Sequence, residues 1–294
     1  MLWQAVEHSI SQALDCSFNI THTNSLSGGS INSAYRIDDG DSSYFVKLNG
    51  EQGLSMFEAE AEGLRELAAA KAIRVPEPVC YGAESGRAWL VTEYISFGRQ
   101  GSHSAQLLGE QLAALHRNTS EQFGWYRDNT IGSTVQQNSQ SDHWVTFYRQ
   151  QRLQFQLDLA SRHGLSGSLQ DKGDRLLADL DVFFSDYAPQ ASLLHGDLWG
   201  GNCSFDTDGN PVIFDPAVYY GDREADLAMT ELFGGFNAGF YAAYNEVWPL
   251  HVGYQVRKEL YNLYHTLNHA NLFGGGYAAQ AESMMDRLLS EMKP

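Results

Sequence analysis

The rhythm of apolar residues changes once along this 294-residue chain, and the change restricts the folds open to it. Up to residue 95 the pattern is mixed. Two alternating runs, SAYRI (33–37) and SYFVKLN (43–49), flank the turn-forming Asp38-Asp39-Gly40-Asp41 and read as strands. Leu54, Phe57, Ala61, Leu64 and Leu67 recur at helical spacing, which predicts a helix over 54–70. Residues 3–14 suit a short helix, and Val75-Pro76-Glu77-Pro78 must run extended. AWLVTEYI (88–95) is a further strand, and SFGRQGSHS (96–104) has the composition of a linker. Helical spacing then dominates: Leu108, Leu112 and Leu115 share a face, as do Trp144, Tyr148, Phe155 and Leu159, and Val256, Leu260, Leu263 and Leu267. One β segment interrupts these helices, SLLHGD (192–197) followed by NCSF and PVIFD. The expected fold class is α+β, with a small β-rich N-terminal lobe over residues 1–95 and a larger, mainly helical C-terminal lobe over 96–294. A cleft between two such lobes is a natural ligand site.

Charge narrows the partners. Lys and Arg number 19 against 36 Asp and Glu, a net charge of −17, which argues against nucleic acid and against anionic membrane surfaces. A small phosphorylated ligand is still allowed, because salt screens the distant field over roughly 8 Å. No apolar run approaches the ~20 residues of a membrane span. The N-terminal MLWQAVEHSISQAL lacks a basic start followed by an apolar stretch, so no secretory signal is expected. Cys16, Cys80 and Cys203 are odd in number and widely spaced, which suits a reducing cytoplasm better than a disulfide framework.

The densest chemistry lies in His195-Gly196-Asp197-Leu198-Trp199-Gly200-Gly201-Asn202, followed by Phe214-Asp215-Pro216. Any one of these residues alone reads as a turn former. Together they meet the H-x-D-x-x-x-x-N spacing, with a second carboxylate one hairpin later, and that set suits phosphoryl transfer. One carboxylate takes the proton of an attacking hydroxyl, while an amide oxygen and a second carboxylate hold Mg²⁺ against phosphates. A phosphate-binding lysine is then required. Lys47, in the strand Tyr44-Phe45-Val46-Lys47-Leu48, shares a face with Phe45 and needs an acidic partner if it points inward. Of Glu58, Glu60 and Glu62 on the helix at 54–70, Glu60 lies closest to the apolar stripe and is the expected partner.

Other stretches admit two readings. Gly28, Gly29 and Ser30 precede the first strand and offer free N–H groups for phosphate oxygens, or else form an ordinary turn. The strand ending at Thr92-Glu93-Tyr94-Ile95 has a backbone that suits an adenine edge, or is a plain connection. Asp222, Arg223, Glu224 and Asp226 are read as a brace for the catalytic loop, through an Arg–carboxylate pair, in preference to an amine-binding site. Asp206-Thr207-Asp208-Gly209-Asn210 is a hairpin turn and not a Ca²⁺ loop, since Ala217 stands where the twelfth-position Glu would be. His195, Trp144, Phe147 and the Met284-Met285 pair are read as structural.

The segments LLHGDLWGGN, IFDPAVYYGDREADLAM, NTIGSTVQQN (129–138) and HWVTFYRQQRLQFQL (143–157), with FVKLN, MFEAEAEGL and FGW in the same order, resemble the fructosamine kinase/ketosamine-3-kinase family. That family belongs to the aminoglycoside phosphotransferase and choline kinase branch of the protein-kinase-like bilobal fold. The resemblance implies ATP and Mg²⁺ as cofactors, Asp197 as catalytic base, and Asn202 and Asp215 as metal ligands. It further implies Lys47 paired to Glu60 on the nucleotide phosphates, and Glu93, Tyr94, Ile95 and Ser96 as the adenine-binding hinge. It implies phosphorylation of the 3-hydroxyl of a ketosamine, a fructosamine or ribulosamine adduct on a small amine or a protein lysine. The 3-phosphate then breaks down and frees the amine, which is deglycation. A monomer or weak homodimer is expected. The phosphate loop, SGGSIN, lacks the cysteine that links some family members into redox-sensitive dimers, so that regulation is not implied here. An aminoglycoside, choline or homoserine-type acceptor is the alternative within the fold, and a nucleotide-binding scaffold without turnover the alternative outside catalysis.

Overall fold

The computed structural model describes residues 2–27 and 31–292. Helix α1 (Leu2–Leu14) leads to strands β1 (His22–Leu26), β2 (Ser33–Asp38) and β3 (Ser43–Gly50), helix α2 (Leu54–Ala69), and strands β4 (Pro78–Glu84) and β5 (Arg87–Glu93). The five strands form one antiparallel sheet in the order β1-β2-β3-β5-β4. Strand alternation divides the side chains between two cores. Val46 and Leu48 of β3 join Val6 and Ile10 of α1 on one face, with Ile37, Trp89 and Val91. On the other face Phe57 and Ala61 of α2 pack on Ala88 and Leu90 of β5. Lys47, between Val46 and Leu48, is thereby sent to the α2 face. Strand β1 was not expected from the sequence, and its HTNSL side chains are exposed except for half-buried Leu26. An edge strand with polar, exposed side chains carries no apolar alternation to read.

The chain continues through α3 (Ser104–His116), the short hairpin β6 (Asn129–Ile131) and β7 (Thr134–Gln136), α4 (Trp144–Phe147), a π-helix (Tyr148–Gln154), α5 (Phe155–Arg162) and α6 (Ser168–Ala178). Strands β8 (Ser192–Leu194), β9 (Cys203–Phe205), β10 (Pro211–Ile213) and β11 (Tyr219–Gly221) follow, then helices α7 (Glu224–Leu232), α8 (Ala238–Val247), α9 (Tyr254–Phe273) and α10 (Tyr277–Glu291). The π-helix corrects the expected face of 144–159. Each i→i+5 turn holds one residue more than an α turn. The buried positions beyond it are therefore Gln156, Leu157 and Ala160, while Phe155 and Leu159 are only half-buried. Among the described residues no helix is long and apolar enough to cross a membrane.

By contacts the chain divides into two compact units, one of residues 1–104 with 203–216 and one of 105–202 with 217–294. The hairpin β9–β10 and residues 96–104 thus group with the five-stranded sheet rather than with the helices of the second unit. Backbone bonds explain this: Ile213 N–H donates to Arg74 O at 3.0 Å and Gly98 N–H to Phe205 O at 2.9 Å. The second unit is held at its centre by a buried ion pair. Arg257 of α9 forks onto Glu224 of α7, Nε to Oε2 at 2.7 Å and Nη2 to Oε1 at 3.1 Å. The same guanidinium lies 3.9 Å from the ring centroid of Tyr187.

Breaking a buried pair from one side leaves an uncompensated charge, so Arg257→Met is expected to lower unfolding free energy in urea by about 3–5 kcal/mol. Burial pushes the Glu224 carboxyl up from its ordinary 4.5 to about 7, against the hydrogen bonds of Arg257. The folded state therefore binds this proton more tightly than the unfolded chain, and the group's contribution to stability falls as pH rises from 4.5 through about 7. Glu224→Gln should flatten that slope in a series of urea titrations across the same pH range.

Candidate active site

Lys47 sits where alternation in β3 sends it, and it meets two carboxylates. Its Nζ is 2.6 Å from Glu60 Oε1 on α2 and 2.6 Å from Asp215 Oδ1 beyond β10. The lysine and Glu60 side chains are 9% and 12% exposed, whereas Asp215 is 43% exposed. Burial alone would lower the lysine's pKa, but Asp215 and Glu60 together hold it above its ordinary value, so it remains a cation. Burial pushes the Glu60 carboxyl up, Lys47 pulls it down, and the charge on Asp215 pushes it up again. Of the two acids, Asp215 is the one that faces water. Asp215 also adopts φ 57°, in the left-handed region. Aspartate tolerates that region better than most residues because its short side chain bonds locally.

The segment after β8 builds the second group. Strand β8 pairs with β11, and at His195 the chain turns through Gly196 at φ +81°. A Cβ there would strike the carbonyl oxygen of Ala217. That is the physical reason a glycine stands between His195 and Asp197. The turned peptide presents two N–H groups to one carboxylate: His195 N donates to Asp226 Oδ2 at 2.7 Å and Gly196 N to Asp226 Oδ1 at 2.8 Å. Buried His116 stands 3.2 Å from the same Oδ2. Burial would raise the Asp226 carboxyl, but its bonds and charge contact with His116, then the charge of His195 and the Gly196 N–H, hold it below the usual range. Asp197, just beyond, is partly exposed. Asn202 Nδ2 donates to both its backbone oxygen at 2.9 Å and its Oδ2 at 3.1 Å. Asp197 and Asn202 are therefore brought together, as are Lys47, Glu60 and Asp215.

The expected brace at 222–226 exists, but not as an Arg–carboxylate pair. Asp226 grips backbone N–H groups, while Arg223 donates to the carbonyls of Trp248 and Pro249 and Glu224 serves Arg257. His195 is fully buried and its Nδ1 accepts from Asp197 N at 3.3 Å, a structural role. Trp144 and Phe147 are core residues, 3% and 1% exposed. Trp199, by contrast, is 38% exposed and meets Phe233 edge-on at 6.0 Å between centroids.

Among the expected hinge residues, Glu93 has its side chain committed. Arg74 Nη2 donates to Glu93 Oε1 at 2.6 Å and Arg74 Nη1 to Asp206 Oδ2 at 3.1 Å. Arg74 thus ties the end of β5 to the β9–β10 turn, a link that no spacing in the sequence announces. Asp206 Oδ1 accepts from Asp208 N and Asn210 N, as a hairpin turn requires. The ladder between β3 and β5 ends at Tyr44 opposite Glu93, so Tyr94, Ile95 and Ser96 lie beyond it. Tyr94 lies under the Arg36 guanidinium at 4.7 Å, Ile95 is buried and Ser96 exposed. Gly28, Gly29 and Ser30 fall outside the described residues.

Two substitutions probe these groups. Gly196→Ala forces both a clash and an unfavourable backbone, and is expected to cost at least about 1–3 kcal/mol in thermal or urea unfolding. Lys47→Met leaves Glu60 buried beside a second acid with no cation, and a loss of about 3–5 kcal/mol is expected by the same measurement, largely recovered in Lys47→Met/Glu60→Gln.

A family model described as fructosamine kinase matches residues 2–291. A probable ketoamine kinase of Synechocystis sp. is 49% identical over 288 residues, covering 98% of this chain and 97% of the relative. The chloroplastic protein-ribulosamine 3-kinase of Oryza sativa subsp. indica is 45% identical over 280 residues, covering 93% of this chain and 80% of its own length. A crystal structure from Haemophilus somnus, of a protein provisionally described as a fructosamine-3-kinase, superposes with a TM-score of 0.90 at 30% identity, covering 98% of this chain and 97% of that one. With the glycine-turned Asp197 loop and the Lys47–Glu60 pair in place, these matches along nearly the whole length show that the chain belongs to the fructosamine kinase family.

Proposed function

We propose that this chain is an ATP- and Mg²⁺-dependent kinase that phosphorylates the 3-hydroxyl of ketosamines, fructosamine- or ribulosamine-type adducts, and so leads to their deglycation. The observation that carries the reading is Asp197, a partly exposed carboxylate aimed by Asn202 and set on a loop whose backbone is pinned by Asp226. Family membership supports the choice of acceptor. In this reading Asp197 accepts the proton of the 3-hydroxyl. The oxygen bonds to the γ-phosphorus, and the bond to the leaving ADP breaks. Asn202 fixes Oδ2 of Asp197 and thereby the direction of the carboxylate. Lys47, kept cationic by Glu60, places a point charge for the nucleotide phosphates. Backbone groups of Glu93 to Ser96 receive the adenine edge.

The donor set fits magnesium. Asp215 offers a half-exposed carboxylate, and Asn202 an amide whose nitrogen is spent on Asp197, so that its oxygen is the end suited to a hard cation. Mg²⁺ commonly takes only one or two protein oxygens beside phosphates and water. When bound, it offsets the negative charge of the phosphates. We read the acceptor as a small glycated amine or a glycated protein lysine, the enzyme as a monomer or weak homodimer, and its compartment as the cytoplasm, which agrees with three unlinked cysteines.

ADP release measured with fructosyl- and ribulosyl-lysine, beside an aminoglycoside, choline and homoserine, tests the reading. Turnover confined to the ketosamines is expected, and turnover only with another acceptor overturns it. Asp197→Asn should keep its melting temperature and lose about 10²–10⁴-fold in kcat. Asp215→Ala should lose Mg·ATP binding in calorimetry, and an unchanged affinity would count against the ligand assignment.

A further inference from the structure

Three amides of the 129–138 segment have no part in the chemistry above, yet they are buried: Asn129 is 8% exposed, Gln136 1% and Asn138 0%. They answer a need created elsewhere. The β8–β11 ladder ends at Leu194 opposite Tyr219, and the adjoining Val218 and Ala217 are 1% and 3% exposed. Their carbonyls are left in the interior and require donors. Gln136 Nε2 donates to Ala217 O at 3.0 Å, and Asn129 Nδ2 donates to Val218 O at 2.7 Å.

The Gln136 amide is held in one orientation. Its Oε1 accepts from Tyr264 OH at 2.9 Å, and its Nε2 also donates to Asn129 Oδ1 at 2.9 Å. Asn138 Nδ2 donates to that same oxygen at 3.0 Å, and Asn138 Oδ1 accepts from Arg152 Nη2 at 2.8 Å. Arg152, fully buried on the π-helix, stacks 4.1 Å from the Tyr219 ring centroid. Every amide end is matched to a partner of the right polarity, so none can flip without losing two bonds.

Ala217 also meets the catalytic loop. Its N–H donates to His195 O at 2.8 Å, and its carbonyl fills the space beneath Gly196. One peptide is therefore gripped by Gln136 on one side and packed against the residue before Asp197 on the other.

We infer that Gln136 is a positioning residue for Asp197, acting through the Ala217 peptide and without touching either substrate. The inference rests on the reading of Asp197 as the base. A base displaced by about 1 Å loses on the order of 10²-fold in rate. Tilting the Ala217 peptide moves the loop that carries Asp197.

Two variants test this. Gln136→Met keeps the length of the side chain and removes both donors. Tyr264→Phe keeps the ring and removes only the hydroxyl that orients the Gln136 amide. Each is assayed for ketosamine phosphorylation beside the wild type, with Mg·ATP affinity by calorimetry and a thermal melt. The expected result for Gln136→Met is a fall in kcat on the order of 10²-fold, with acceptor KM and Mg·ATP Kd unchanged. A smaller fall of the same kind is expected for Tyr264→Phe. A raised KM at unchanged kcat would overturn the inference, because Gln136 would then read the substrate. A wild-type kcat in folded Gln136→Met would overturn it as well. If Gln136→Met does not fold, Tyr264→Phe decides, and wild-type kcat in that variant overturns the inference. Absence of turnover by the wild type on any ketosamine would instead refute the proposed reaction, which separates that failure from failure of the positioning role.

Discussion

A carboxylate withdrawn from water must be supplied with donors, and Asp226 takes donors from the peptide backbone of the loop that carries Asp197. Two consecutive N–H groups, of His195 and Gly196, point at one side chain, with His116 behind it. Two adjacent N–H groups can converge in this way only if the chain bends sharply between them, which is why Gly196 occupies a conformation closed to residues with a Cβ. From that bend follow the partly exposed placement of Asp197 and its contact with Asn202. The anchor is an acid of helix α7, so the position of the loop depends on the helical core of its own unit.

The Lys47 cluster solves a different problem. A lone buried lysine would shed its proton or stay in water. Glu60 keeps it charged from within the protein, and Asp215 adds a second acid at the solvent side. The charge on Asp215 works against the ionised form of Glu60, and Lys47 works for it.

Much of this was legible in the sequence because it obeys simple periods. The alternation of β3 sent Lys47 to one face, the helical stripe over 54–70 singled out Glu60, and the loop spacing paired Asp197 with Asn202. What could not be read had no local signal. Arg74 reaches Glu93 and Asp206 across stretches of sequence with no motif between them. Strand β1 shows exposed polar residues on both faces. The bracing acid of the 222–226 cluster could not be told from its neighbours, since Asp222, Glu224 and Asp226 are all buried and each serves a different partner. The π-helix hid the true inner face of 144–160 because a regular period was assumed where the backbone carries a wider turn.

That wider turn has a consequence for how the protein tolerates change. Seven residues wound with i→i+5 bonds hold about one more residue than the same length of α-helix, so the stretch is an insertion hidden inside continuous secondary structure. Losing a single residue there would leave helices on both sides intact, and the chain would still look well folded to circular dichroism. It would nevertheless rotate Arg152 off the Tyr219 ring and strip Asn138 of its cation. A deletion that a spectroscopist would call silent would then reach the interior of the protein through the side chains alone.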